Sequence, residues 1–447
     1  MKSKTLNMTE GNPVQLILIF AVPMLIGNVF QQLYNLVDSV IVGKFVGAEA
    51  LASIGATNAV TFMFFALCNG IASGGGIITA QQFGAGNKDN IKKAIVNSAY
   101  ILLTGSVVIG AIAFAICPTA LRLMATPEDI LQNAIVYMRM QCLGLPLIAI
   151  YNHVSSMLRA LGDTRTPLYF LIFSCILNAG MDLYFVCVLG MGIFGAALAT
   201  IIAQFISGMS CLVYALKTSE YFKFEKKDFA PEKQMLIGTV RLGVPLSLQF
   251  SLIAVSTMAL QRVVNTFGTT VMAAFTATSR VEQLLHQPYG TLSAALATYA
   301  GQNLGAKNLD RIKLGVKKGM LMMSVFSLFM LPVMQFFSDE IISIFVSDAE
   351  VIVYGSTGMI ITSWFYLALG TIYVIRGTLN GVGDAMFALI NGVVEVIGRI
   401  VIPVTLITIP AIGVWGLWGS AAVVWVISAL FSIWRYASWR KKNPLIE

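Results

Sequence analysis

The chain has 447 residues, 57% of them hydrophobic and only 11% charged, with a formal net charge of +8. Soluble domains carry about 25% charged residues, so this composition excludes a soluble protein. The basic surplus sits in short segments between apolar runs and not on one face of a folded domain, which excludes a nucleic-acid partner.

Apolar runs and their breakers predict twelve membrane spans, so the lipid bilayer is the first partner. They lie near 14–43, 50–80, 92–117, 130–160, 167–190, 193–216, 236–266, 270–302, 312–337, 350–380, 385–409 and 413–437. No polar stretch is long enough to form a separate soluble domain. The first run lacks a small-residue cleavage site and is followed by many more, so it reads as a retained span. Pro23, Pro146, Pro245, Pro288, Pro332 and Pro403 sit inside spans, where each removes a backbone hydrogen bond. Pro23 is the predicted hinge.

The first span also carries a lone carboxylate, Asp38. A charge at that depth costs about 2.5–3.5 kcal/mol on insertion scales and marks a functional position. Tyr34 stands one turn before it. Met63 and Phe64 of the second span, with Tyr34, are candidate cavity residues for varied substrates, through adaptable contact and cation–π attraction. Gly74-Gly75-Gly76 lies within the same span, where close helix packing explains it better than a phosphate-binding loop.

Depth arithmetic links later spans to Asp38. At 1.5 Å rise per residue, Asp38 lies roughly 8 Å in from an outer end near Gly43. Asp182 lies roughly 12 Å in from Gly190, with Asn178 one turn deeper on the same face, and Thr200 roughly 12 Å in from Gly192. Asp38, Asn178, Asp182 and Thr200 thus share one level. Two carboxylates, an amide and a hydroxyl suit a hard cation or a shared proton. In the second half, Arg280 and Glu282 fall in the eighth span, and Glu395 and Arg399 in the eleventh. The i, i+4 spacing predicts a Glu395–Arg399 pair, and Glu282 is the candidate for contacting a cationic substrate.

The six cysteines all fall in apolar segments without a CxxC pair and read as buried, inert thiols; His153 and His286 stand apart from any ligand cluster. No resident cofactor is expected. The chain holds no His-Glu-x-x-His, no nucleophile elbow and no intramembrane aspartate-protease pair, so an enzyme is not expected.

One set of loops, Arg376 and both termini (Lys2 and Lys4; Arg440 to Lys442) included, holds 23 of the 29 Lys and Arg. The positive-inside rule then puts both termini in the cytoplasm. The chain also repeats itself at an offset of 221. QQFGAGNKDNIKK (81–93) returns as QNLGAKNLDRIKL (302–314), LGDT (161–164) as VGDA (382–385), and MGIFG (191–195) as IGVWG (412–416). AVPML (21–25) returns as GVPLS (243–247), one residue out of phase. The reading is an N-terminal six-helix lobe (1–217), a basic cytoplasmic linker (218–233) and a C-terminal six-helix lobe (234–447). Six is even, so the repeats are parallel, a 6+6 all-α membrane protein around a central cleft. That layout predicts a transporter.

At this point the residues resemble the multidrug and toxic compound extrusion (MATE) family over nearly the whole chain. The resemblance rests on Pro23, Asn35, Asp38 and Gly43 of the first span, GQNLGA at 301–306, and Gly-x-x-Gly-Ala-Ala-x-Ala-Thr at 192–200. It is similar to the bacterial branch that includes staphylococcal-type multidrug exporters. It implies a bacterial cytoplasmic-membrane antiporter, a monomer, exporting cationic amphipathic small molecules against inward Na⁺ or H⁺ by alternating access. It further implies that Asp38, Asn178, Asp182 and Thr200 form the coupling site, and that they would be the ligands if the ion is Na⁺. The second half lacks the set, because Leu260, Arg399 and Pro403 stand where Asp38, Asn178 and Asp182 map. Some relatives use a Glu in the seventh span, and 247–257 has no acid. The alternative is a flippase or exporter of a lipid-linked or other amphipathic metabolite in the same superfamily.

Overall fold

In lipid every backbone N–H and C=O must find its partner inside the protein, and helices satisfy them locally. The computed structural model describes residues 5–124 and 126–443, and its regular structure there is all helical. The α-helices are α1 (Pro13–Phe45), α2 (Ala48–Gly84), α3 (Lys88–Leu123), α4 (Glu128–Ala160), α5 (Arg165–Asp182), α6 (Gly192–Thr218) and α7 (Lys233–Val264). They continue with α8 (Thr269–Gly305), α9 (Leu309–Ser343), α10 (Ala349–Ser363), α11 (Tyr366–Gly381), α12 (Ala385–Ile407) and α13 (Gly416–Lys442). Among the described residues, ten are long and apolar enough to cross a membrane, and α10 with α11 makes an eleventh span, bent by 56°. The twelfth is α8, whose 37 residues include Arg280, Glu282 and His286. All twelve predicted spans are present. Lys2 and Lys4, counted above for orientation, lie outside the described residues.

The internal repeat is visible in the backbone. Left-handed φ values occur in pairs 221 residues apart: Gly47 (116°) and Gly268 (86°), Gly162 (85°) and Gly383 (90°), Gly192 (56°) and Gly413 (53°). Gly86 (70°) is matched by Lys307 (57°), the one non-glycine in this conformation among the described residues. The next residue caps a helix in both halves. Asn87 accepts from the Asn90 N–H (3.1 Å) to open α3, and Asn308 accepts from the Arg311 N–H (3.2 Å) to open α9.

The chain gathers into two compact units, one of Leu18–Ser251 with the segment up to Met8, the other of Thr9–Ile17 with the chain from Leu252. In the first unit the triple glycine of α2 meets three helices at once. A Cβ on Gly74 would lie 2.5 Å from the Gly243 backbone N of α7, on Gly75 2.5 Å from Ser98 Cβ of α3, and on Gly76 2.7 Å from Ser156 Oγ of α4. Ser156 Oγ donates to the Ala72 carbonyl (2.8 Å) at the same seam. Small residues here let backbones approach, the main packing device inside lipid.

Residues 218–233 are clamped along the start of α3. Phe222 is buried among Ile91, Ile95 and Met157, Lys88 pairs with Glu220 (2.8 Å), and Lys93 with Glu232 (3.1 Å). One expectation fails: Cys187 is exposed, just past α5, although the other cysteines are buried or half-buried. Apolar surroundings in the sequence mean lipid as readily as core.

Gly75→Ala is expected to destabilise the protein by about 1–3 kcal/mol through overpacking against Ser98. Gly55→Ala, where a Cβ meets nothing within 4 Å, is the control and should be neutral or slightly stabilising. Thermal unfolding of the purified protein in detergent checks both.

Candidate functional site

Four of the predicted positions converge in the first unit. Asp182 is the last residue of α5, and Leu183–Val188 follow it as one widened π-helical turn. Such turns frequently sit at functional sites. Asn178 lies one turn earlier on the same face, and both side chains are buried, at 1% and 0% exposure. Thr200 of α6 ties three helices together. Its Oγ1 donates to the Ala196 carbonyl (3.1 Å) and accepts from Tyr34 Oη of α1 (3.3 Å) and Asn178 Nδ2 of α5 (3.4 Å).

Asp38, one turn beyond Tyr34 on α1, stands against Asp182. Asp38 Oδ1 and both Asp182 oxygens are buried without a hydrogen-bond donor among the described residues. Among the described residues, no Lys or Arg acts on either carboxylate. Two acids so placed cannot both stay ionised and uncompensated, because the low dielectric magnifies their repulsion and desolvation. The arrangement can hold a shared proton, or a small cation bound by carboxylate and hydroxyl oxygens.

Sequence reasoning missed Tyr137 of α4, which faces both carboxylates and packs against the core of Ile41, Ile54 and Val186. Nothing in the spacing of the fourth span singles it out. The widened turn after Asp182 was equally unmarked. The other candidates lie elsewhere. Phe64 is buried in the core with Val60, Cys117 and Met138, and Met63 packs against that core. Pro23 lies inside α1, which runs unbroken through it.

The second unit holds different chemistry and two corrections. Arg376, expected in a cytoplasmic loop, is buried in α11 and forms an ion pair with Glu395 of α12. Glu395 also accepts from Asn391 Nδ2 (3.0 Å). The expected Glu395–Arg399 pair is therefore not formed, and Arg399 Nη1 donates to Ser256 Oγ of α7 at 3.4 Å instead. A charged hydrogen bond across two packed helices, away from water, outweighs an i, i+4 pair on one helix, worth about 0.2–0.5 kcal/mol. Glu282 of α8 keeps one buried oxygen, Oε1, without a partner among the described residues.

Two six-span repeats, one bringing two intramembrane carboxylates together, belong to a multi-pass membrane transporter. The MatE family model matches residues 23–184 and again 245–405, and the chain belongs to that family. The two matches begin 222 residues apart, 23 against 245, in step with the sequence repeat. Among curated relatives, a probable multidrug resistance protein of Bacillus subtilis, YoeA, is 28% identical over 437 residues, spanning 95% of this chain and 94% of that one. The multidrug export protein MepA of Staphylococcus haemolyticus is 22% identical across 97% of this chain and 95% of its own. An outward-facing structure of a multidrug resistance MATE transporter superposes with a TM-score of 0.90 at 23% identity, covering 99% of this chain and all of that one. That likeness shows the fold.

Asp182→Asn should keep the fold and raise its stability, by about 1–3 kcal/mol, since it removes a buried charge without a donor. A fall in melting temperature comparable to a core deletion would instead mark the pair as a structural bond. Glu395→Gln should cost about 3–5 kcal/mol by leaving the Arg376 charge buried and uncompensated. Thermal unfolding of each purified variant reads the outcome.

Proposed function

We propose that the chain is a secondary active exporter of amphipathic, chiefly cationic, small molecules, driven by inward Na⁺ or H⁺ across the bacterial cytoplasmic membrane. The observation that carries this is the pairing of half-buried Asp38 with buried Asp182, short of donors and without a base acting on it among the described residues, in a chain of the MatE family. The names of the relatives, multidrug resistance and multidrug export proteins, support the substrate class. Both termini are read as cytoplasmic, now on 22 basic residues, with Arg376 withdrawn from the count.

A proton or Na⁺ arriving from outside neutralises the pair. Asn178, Thr200 and Tyr34 offer further oxygens at the same place. Tyr34 and Asp38 share α1, so neutralisation changes the bonds that hold α1 to α5 and α6, and Pro23 gives α1 a point to bend. Coupling follows if the ion and the drug each prefer the opposite conformation. Release of the ion inside resets the carrier.

Inverted membrane vesicles loaded by ethidium accumulation test the reading, with a Na⁺ gradient and a pH gradient imposed separately. Transport under one gradient is expected, and its loss in Asp38→Asn and Asp182→Asn with membrane insertion unchanged. Transport under neither gradient sinks the antiport reading, and wild-type transport in both variants sinks the site.

A further inference from the structure

We propose that the first unit carries a docking groove for one anionic phospholipid between α5 and α6, with Lys217 holding the phosphate. The two helices run antiparallel and are joined where Ser207 Oγ of α6 donates to the Phe170 carbonyl of α5. One face of α6 packs on α4. There a Cβ on Gly208 would lie 2.9 Å from the Tyr151 backbone N, and Cys211 and Ala215 are fully buried. The face turned away from α4 is open. A groove of about 440 Å³ runs along it, lined by Phe170 of α5 and by Met209, Ser210, Val213, Tyr214 and Lys217 of α6. That is room enough for a lipid tail or a drug-sized molecule.

The walls suit hydrocarbon and the end suits a phosphate. On α6 the lining positions recur at three- and four-residue spacing, which makes one stripe along the helix. The Phe170 and Tyr214 rings lie 5.8 Å apart across the groove. Lys217 stands in the last turn of α6, about 15 Å beyond the level of Ser207 at 1.5 Å per residue. Tyrosine and lysine near the end of a span belong at headgroup level, with the ring partly in hydrocarbon and the amine reaching water. Arg165, the first residue of α5, opens that helix at the same end.

The charges choose the lipid. Glu220, three residues past Lys217, is taken by Lys88 (2.8 Å). Asp163 accepts from the Arg165 and Thr166 backbone N–H groups (3.1 and 3.0 Å) and from Thr166 Oγ1 (2.6 Å). Neither Lys217 nor Arg165 forms an ion pair among the described residues. Two cations with no acid left for them repel the cationic molecules proposed for export, and a zwitterionic lipid brings an ammonium group of its own. Free phosphate would leave the apolar walls uncovered. A phospholipid of net negative charge meets both demands, with a tail along the stripe and its phosphate at Lys217.

Native mass spectrometry of the full chain purified in detergent tests this, with dioleoylphosphatidylglycerol, dioleoylphosphatidylcholine or inorganic phosphate added. The wild type should retain one phosphatidylglycerol more tightly than phosphatidylcholine, and no phosphate. Lys217→Gln should weaken phosphatidylglycerol about fivefold, the effect of one base at a membrane surface, and leave phosphatidylcholine unchanged. Lys217→Arg should keep the wild-type preference. Val213→Trp, which fills the groove, should weaken both lipids. Lys441→Gln, in the last turn of α13, is the control for basic residues elsewhere and should change nothing. Equal retention of the two lipids, a preference that survives Lys217→Gln, or a dimer forming in place of the lipid overturns the proposal. Retention is read without any ion gradient, so it stands or falls apart from the antiport reading.

Discussion

The structure depends on a carboxylate pair that the protein declines to neutralise. Asp38 and Asp182 are brought together from α1 and α5, with Asp38 Oδ1 and both Asp182 oxygens buried and no Lys or Arg among the described residues acting on them. An isolated buried charge is among the most expensive features a fold can hold, and proteins usually remove it by pairing. Here the two acids face each other, and the ion-driven reading proposed above rests on that arrangement. The surrounding hydrogen bonds fix the geometry without removing the demand: Thr200 receives Tyr34 and Asn178, and none of the three donates to the acids.

The two units resolve the same problem in opposite ways. They share their turns closely enough that left-handed residues recur at a constant spacing, and that asparagine caps open α3 and α9 alike. Their polar interiors differ. At Asp38 and Asp182 the first unit sets acid against acid, whereas the second closes Glu395 with Arg376 and Asn391. Each unit also places its unsatisfied acid at a break in helical regularity, a widened turn after Asp182 and the bend between α10 and α11 opposite Glu282. Irregular backbone inside a membrane is tolerated where it is buried in protein or lines a water-filled cavity.

Tight seams hold the helices of the first unit together elsewhere. The triple glycine of α2 sets the approach of α3, α4 and α7 through three neighbouring Cα atoms, each facing a different helix. The segment from 218 to 233 looks like a free linker by composition, yet its Phe222 and its ion pairs with α3 dock it onto the first unit. A rigid bundle can carry a costly acid pair because the remaining packing holds it in place.

The membrane class, the twelve spans, the tandem repeat and the shared level of Asp38, Asn178, Asp182 and Thr200 are all legible in the amino-acid order. Those follow from hydropathy, chain periodicity and a fixed rise per residue, all one-dimensional quantities. Partner choice was decided only in three dimensions. Arg376 looked like a loop cation, and Glu395 looked paired with Arg399, until α11 packed against α12 and offered a nearer guanidinium. Tyr137, Cys187 and the core position of Phe64 were hidden for the same reason. Hydropathy says that a residue avoids water, and only the packing of other helices says whether it meets lipid, core or a buried charge.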